Sequence, residues 1–247
     1  MSLVEFRNVG KKFNGVPVLD GLSFGVEKGE ILCIIGPSGC GKSVTLKHLV
    51  RLLNPTSGSV VVDGTDIAAC DDETLVKLRS RIGFLFQSGA LLAWKTVAEN
   101  VALPLEECTD LDDAAIAAKV TKALEAVELV EAADKYPAEI SGGMQKRAGL
   151  ARAIVRETDI VLYDEPTSGL DPVTSETIHA LIRKLNRRFG ITSVVVTHDL
   201  RGALALADRI LLIKGGRAVE CSKPEEFVTS QNRDVREFLA AMKGESI

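Results

Sequence analysis

Gly36-Pro37-Ser38-Gly39-Cys40-Gly41-Lys42-Ser43 is the stretch on which the reading turns. The residues before it, Ile31-Leu32-Cys33-Ile34-Ile35, are all apolar and largely β-branched, as a strand buried on both faces of a parallel sheet should be. Val44 to Leu53, after it, reads as a helix. A glycine-rich turn between such a strand and such a helix is the Walker A phosphate-binding loop. Its glycines let successive backbone N–H groups curl around phosphate oxygens, and the helix N-terminus adds about half a positive charge aimed at them. Lys42 is then expected to reach the β and γ phosphates, and the Ser43 hydroxyl to ligate Mg²⁺.

Composition narrows the possibilities. With 247 residues, 46% of them hydrophobic, the chain can bury a real core, as one large domain or a domain with a lobe. A formal charge of -4 argues against a surface that coats nucleic acid. Cys33, Cys40, Cys70, Cys108 and Cys221 show no metal spacing and no Cys-x-x-Cys, which fits a reducing compartment. No apolar stretch approaches the roughly 20 residues that span a bilayer. Met1 to Asn8 lacks the layout of a signal peptide, so any membrane role is expected to be peripheral.

Along the chain, Leu3 to Val9 alternates like a half-exposed strand, and Val18 to Val26 holds two short runs broken at Asp20-Gly21, so an antiparallel β patch precedes the loop. Phe13 lies on the turn between them, either as a minor core residue or as a platform for a base. After Asp63-Gly64, a hairpin-type turn, come a short helix over Asp72 to Ser80 and a strand over Arg81 to Phe86. From Ser88 to Arg156 the strand signal vanishes, and Val97 to Leu103, Leu111 to Leu129 and Gly142 to Val155 read as helices of an inserted lobe. Strand and helix then alternate again from Ile160 to Ile213, the mark of a parallel sheet covered by helices.

Ligands of such a sheet bind just past the carboxyl ends of its strands, and polar residues recur there. The strand Ile160 to Tyr163 runs into Asp164-Glu165, the Walker B arrangement: Asp164 is expected to hold Mg²⁺ and Glu165 to polarise the attacking water. The strand Ser193 to Val196 runs into Thr197-His198-Asp199, where His198 can sense the γ phosphate. Gln87 follows a third strand, and its amide can contact Mg²⁺ or the water. His48 and His179, within helices, read as structural. Ser141-Gly142-Gly143 opens a second helix N-terminus suited to an anion and, lying in the inserted lobe, is expected to face the nucleotide of another subunit. The same pattern is open to a plainer reading, a capping serine with glycines for close packing.

With these residues assembled, the chain resembles the ATP-binding-cassette ATPases up to about residue 220: Gly36 to Ser43 matches Walker A, Gln87 the Q-loop, Ser141-Gly142-Gly143 the signature, Ile160 to Glu165 Walker B, Ser168-Gly169-Leu170-Asp171 the D-loop and His198 the switch histidine. The resemblance implies an α/β fold of the P-loop NTPase type, with a parallel RecA-like sheet core, an N-terminal antiparallel β patch and an inserted helical lobe. It implies one domain over 1–247, with a nucleotide-binding core (1–87 and 158–220), a helical subdomain (88–157) and a helical tail (221–247). It implies a head-to-tail homodimer that encloses ATP and Mg²⁺, with Phe13 stacked on adenine, Gly36 to Val44 around the phosphates, and Ser141, Gly142, Gly143 and Asp171 completing the site. Ser43, Gln87 and Asp164 are expected on the metal, and Glu165, His198, Gln87 and Lys42 in hydrolysis.

Met144 stands where many members carry Gln. Together with Gln87 to Leu92, Thr96 to Leu105, Gly169 to Ser175 and Val235 to Leu239, it resembles the Mce-associated branch, whose ATPases serve lipid-moving systems of bacterial membranes. That resemblance implies a permease partner, an Mce-type lipid-binding protein, no nucleic acid, and a place on the cytoplasmic side of the bacterial inner membrane. A solute importer ATPase, for instance for amino acids, is the alternative, and a soluble cassette protein acting on nucleic acid or ribosomes a more distant one. Leu91 and Trp94 are expected in the groove that receives the permease. Val235, Phe238, Leu239 and Met242 form an apolar stripe on the tail that can dock on its own domain or on a partner.

Overall fold

A computed structural model describes residues 2–243; Met1 and residues 244–247, the end of the expected tail, lie outside the described residues. In chain order the elements are β1 (Ser2–Phe13), β2 (Val16–Glu27), β3 (Ile31–Ile35), α1 (Lys42–His48), β4 (Ser57–Val62), β5 (Thr65–Asp66), α2 (Asp72–Ser80) and β6 (Ile82–Leu85). There follow α3 (Val97–Cys108), α4 (Asp113–Ala126), α5 (Gly142–Ile154), β7 (Ile160–Asp164), α6 (Pro172–Phe189), β8 (Thr192–Val196), α7 (Leu200–Leu206), β9 (Arg209–Lys214), β10 (Arg217–Ser222), α8 (Pro224–Val228) and α9 (Arg233–Lys243). The chain forms two compact units, one up to Leu75 and again from Thr192, the other from Val76 to Ile191.

In the first unit, β2, β1, β4 and β5 make an antiparallel sheet in that order. β3 pairs in parallel with both β8 and β9, and β10 closes antiparallel on β9. The α/β architecture with an antiparallel sheet and a mixed sheet is thus the one expected. Every residue of β3 is buried. Each of its large aliphatic side chains contributes about 1.5–3 kcal/mol on burial, enough to offset the roughly 1–2 kcal/mol that fixing each residue's backbone costs. That strand is the rigid base from which the glycine-rich loop departs.

Glu30, buried just before β3, joins the two sheets. It accepts from Arg209 Nε at 2.5 Å and Nη2 at 3.0 Å and from the Glu27 N–H at 2.7 Å, while Arg209 Nη2 also reaches the Gly25 carbonyl of β2 at 2.8 Å. Glu30→Ala removes the acceptor from a half-buried guanidinium and from a backbone donor, and is expected to lower stability by about 2–3 kcal/mol, read from the midpoint of urea unfolding.

The second unit holds the parallel pair β6 and β7 and the helices α3 to α6. Several boundaries differ from the sequence reading. The two runs of Val18 to Val26 are one bulged strand, β2. α1 ends at His48, because Arg51 takes a φ of +48° and donates to the Cys70 carbonyl at 2.8 Å and to Asp72 at 2.5 Å. α3 continues through Pro104 to Cys108, held by the buried Leu105 beyond it. β10 was missed, although Gly215-Gly216, with φ of +59° and +76°, is the two-residue turn that joins it to β9. α8 was missed as well. α9 lies against β10: Val235 is buried, Phe238 and Leu239 are half-buried, and Lys214 Nζ bonds Asp234 at 2.6 Å and Glu237 at 3.0 Å.

Candidate functional site

In the first unit the glycine-rich loop leaves β3 at Gly36, whose φ of +151° and closeness to the Ile213 carbonyl admit no side chain. Pro37, Ser38 and Gly39 are exposed, Cys40 and Gly41 buried, and Ser43 and Val44 half-buried on the first turn of α1. That turn carries no acidic side chain, so nothing there repels an anion. Lys42, 9% exposed, bends back over the loop and donates to the carbonyls of Gly36 at 2.8 Å and Pro37 at 3.1 Å. Burial raises the Cys40 thiol above its usual pKa, which keeps it neutral beside Lys42.

The Thr197 N–H donates to the Ile34 carbonyl at 3.1 Å, so the exit of β8 lies level with that of β3 and brings exposed His198 to the loop's end of the sheet. Asp199 caps α7 by accepting from the Gly202 N–H at 2.9 Å. Phe13 closes β1, 41% exposed, with Lys11 Nζ 5.1 Å from its ring centroid. His48 and His179 are buried within helices.

In the second unit, buried Asp164 ends β7 and half-buried Glu165 follows it with a φ of +50°, a left-handed conformation rare for a glutamate. Gln87, exposed two residues past β6, donates from Nε2 to Ser168 Oγ at 3.3 Å. Ser141 caps α5 by accepting from the Met144 N–H at 3.3 Å, and Ser141 and Gly142 are exposed on a helix start free of acidic residues. Gly143 is buried, where a methyl would come within 2.6 Å of Thr174 Cγ2. The plainer reading of the motif is therefore seen directly, since the serine caps and one glycine packs, while Ser141 and Gly142 stay exposed at the helix start.

Asp171 caps α6, accepting from the N–H groups of Val173 and Thr174 at 3.0 Å each and from Thr174 Oγ1 at 2.5 Å. The threonine hydroxyl first, and then these N–H groups, hold its carboxyl below the usual pKa. A cavity of about 260 Å³ among α4, the end of α5 and Phe189 is lined by none of the expected site residues.

Two residues that organise these segments escaped the sequence reading. Asn100, fully buried on α3, accepts from the Leu92 N–H and donates to the carbonyls of Leu92, Lys95 and Thr96, all at 2.7–3.0 Å, and so shapes the loop that presents Trp94 at 74% exposure. Lys146, buried on α5, donates to the main chain of Gln87 and Glu165. The only signal for Lys146 was a cation three residues past the signature glycines.

A glycine loop between a buried parallel strand and a helix start in the first unit, and a carboxylate pair at the end of a strand in the second, are the marks of a phosphate-loop ATPase. The profile of the ABC transporter family matches residues 19–168, and the chain belongs to that family. It is 40% identical to the intermembrane phospholipid transport system ATP-binding protein MlaF of Haemophilus influenzae, over 99% of this chain and 92% of the relative. It is 42% identical to the methionine import ATP-binding protein MetN of Rhizobium etli, over 96% of this chain but only 65% of the relative's length. Among solved structures, the dimeric ATP-binding cassette MJ0796 in a post-hydrolysis state with ADP and Pi matches with a TM-score of 0.81 and 36% identity, over 90% of this chain and 98% of that one. The chain is accordingly an ATP-binding cassette ATPase.

Proposed function

We propose that the chain is the ATP-hydrolysing motor of a complex that moves phospholipids or other lipids between bacterial membranes. It works at the cytoplasmic face of the inner membrane, bound to an integral permease that acts with an Mce-type lipid-binding protein. The observation that carries the reading is Met144 behind Ser141-Gly142-Gly143, in a chain whose relatives include a phospholipid transport ATPase. Among the described residues no helix is long and apolar enough to cross a membrane. Trp94, raised by the Asn100-braced loop, is the docking point we assign to that partner, with half-buried Leu91 beside it.

Two copies pair head to tail. The exposed loop of one and the open α5 start of the other close on the same triphosphate, an arrangement supported by a dimeric relative that holds ADP and Pi. Phe13 stacks on the base, the Gly36 to Val44 backbone and Lys42 hold the phosphates, and Asp171 acts by fixing the D-loop on α6. Ser43, Asp164 and Gln87 offer only oxygen donors, the chemistry Mg²⁺ prefers, and among the described residues no trio of acidic, His or Cys side chains forms a separate cage. Magnesium is commonly held by one or two carboxylates together with phosphate and water, so a set whose single carboxylate is Asp164 suits its chemistry. Bound there, it supplies charge neutralisation at the phosphates. Glu165 draws the proton from the attacking water and His198 contacts the γ phosphate.

The solute-importer reading has its own support in the methionine importer relative. To separate the two, the tagged chain is withdrawn from native membranes in mild detergent and its companions are identified by mass spectrometry. A multi-span permease together with a singly anchored lipid-binding protein is the expected outcome. A permease with an amino-acid-binding protein would overturn the lipid assignment.

A further inference from the structure

Lys146 is 6% exposed on α5, and its ammonium ends among backbone carbonyls of the second unit. It donates to the carbonyl of Gln87 and, at 3.4 Å, to that of Glu165. Two more hydrogen bonds close a ring. The Glu165 carbonyl also accepts from the Ser168 N–H at 3.1 Å, and Gln87 Nε2 donates to Ser168 Oγ at 3.3 Å. One charge therefore joins the helix opened by Ser141, the segment after β6 and the turn after β7.

Burying an ammonium is costly, and desolvation lowers the pKa of Lys146 while the carboxylates of Glu165 and Asp164 raise it. The fixed left-handed backbone of Glu165 needs support from its surroundings. Bonds from Lys146 and Ser168 to its carbonyl fix the peptide plane that follows its Cα, the atom from which the side chain extends. Farther along α5, Arg152 donates to the carbonyls of Gly89 and Ala90, both at 2.7 Å. Between them Gly149 lets the segment come close, since a methyl there would lie 3.3 Å from the Gly89 carbonyl oxygen and 2.7 Å from Leu85 Cδ1 at the end of β6. α5 thus grips residues 87–90 at both ends.

We propose that Lys146 is a positioning residue for hydrolysis: it ties the backbones of Glu165 and Gln87 to α5, so that seating the start of α5 on a nucleotide sets the hydrolytic carboxylate in the same movement. This rests on the assignment of Glu165 as the water-activating carboxylate. The test compares Lys146→Met, Lys146→Arg, Glu165→Gln and the Lys146→Met/Glu165→Gln pair in the full chain, by phosphate release and by nucleotide binding.

Lys146→Met is expected to lower kcat about tenfold or more through misplacement of the carboxylate, with KM and ATP affinity held within about twofold. Lys146→Arg, which keeps a buried cationic donor, recovers most of the loss, and Lys146→Met adds nothing on top of Glu165→Gln. Wild-type kcat in Lys146→Met beside an inactive Glu165→Gln overturns the positioning role and leaves Glu165 in place. Equal losses of kcat and ATP affinity that Lys146→Arg does not restore overturn it too, as the mark of a merely structural lysine. Full turnover by Glu165→Gln instead overturns the underlying assignment. If Lys146→Met does not fold, Lys146→Gln, whose amide still donates to one carbonyl, is judged by the same split.

Discussion

Glu165→Gln keeps its ATP and accumulates as a nucleotide-bound dimer, while steady-state turnover falls by about 10²–10⁴-fold. The amide matches the carboxylate in size, and the main-chain bonds from Lys146 and Ser168 to residue 165 do not depend on its side chain. Asp164, the residue assigned to the metal, is untouched. What disappears is a group able to take a proton from water. Light scattering with ATP present reads the dimer, and phosphate release reads the rate. Turnover at the wild-type rate would remove Glu165 from its place in the reaction.

Lys42→Ala loses both binding and turnover. In the loop the ammonium already lies against the carbonyls of Gly36 and Pro37, buried from water, where a charge acts on a phosphate far more strongly than it would in solvent. ATP affinity is expected to fall about tenfold or more, and hydrolysis by about 10²–10³-fold. Lys42→Arg does not restore them, because a planar guanidinium cannot replace a compact ammonium in a loop this tight. Calorimetric titration with ATP decides the matter, and wild-type affinity in Lys42→Ala would sink the assignment. Thermal unfolding of the same variant accounts for the two carbonyls that lose a donor.

Much of this was legible in the chain. A buried strand reads as an unbroken apolar run, and a phosphate loop as glycines at fixed spacing, because both requirements are local. Asp164, Glu165 and His198 stood out as candidates because each lies within two residues of the end of such a run. Pro104 misled, since a proline's cost is local but the buried Leu105 that outweighs it is a tertiary contact. Leu49 to Leu53 misled likewise, because the bonds that turn Arg51 out of the helix come from residues about 20 positions away. Gly215-Gly216, by contrast, is a purely local turn signal between β9 and β10.

By its own residues, then, the chain determined the phosphate loop, the alternation that makes an α/β sheet and the strand ends at which its polar groups stand. Only the folded chain decided that Asp171 spends its carboxylate on a helix cap, that Asn100 braces the loop of Trp94, and that Lys146 reaches the segment after β6 and the turn after β7 at once. The reason is reach: spacing along a sequence records hydrogen bonds between near neighbours, whereas Lys146 and Gln87 stand 59 residues apart and meet only when the unit packs.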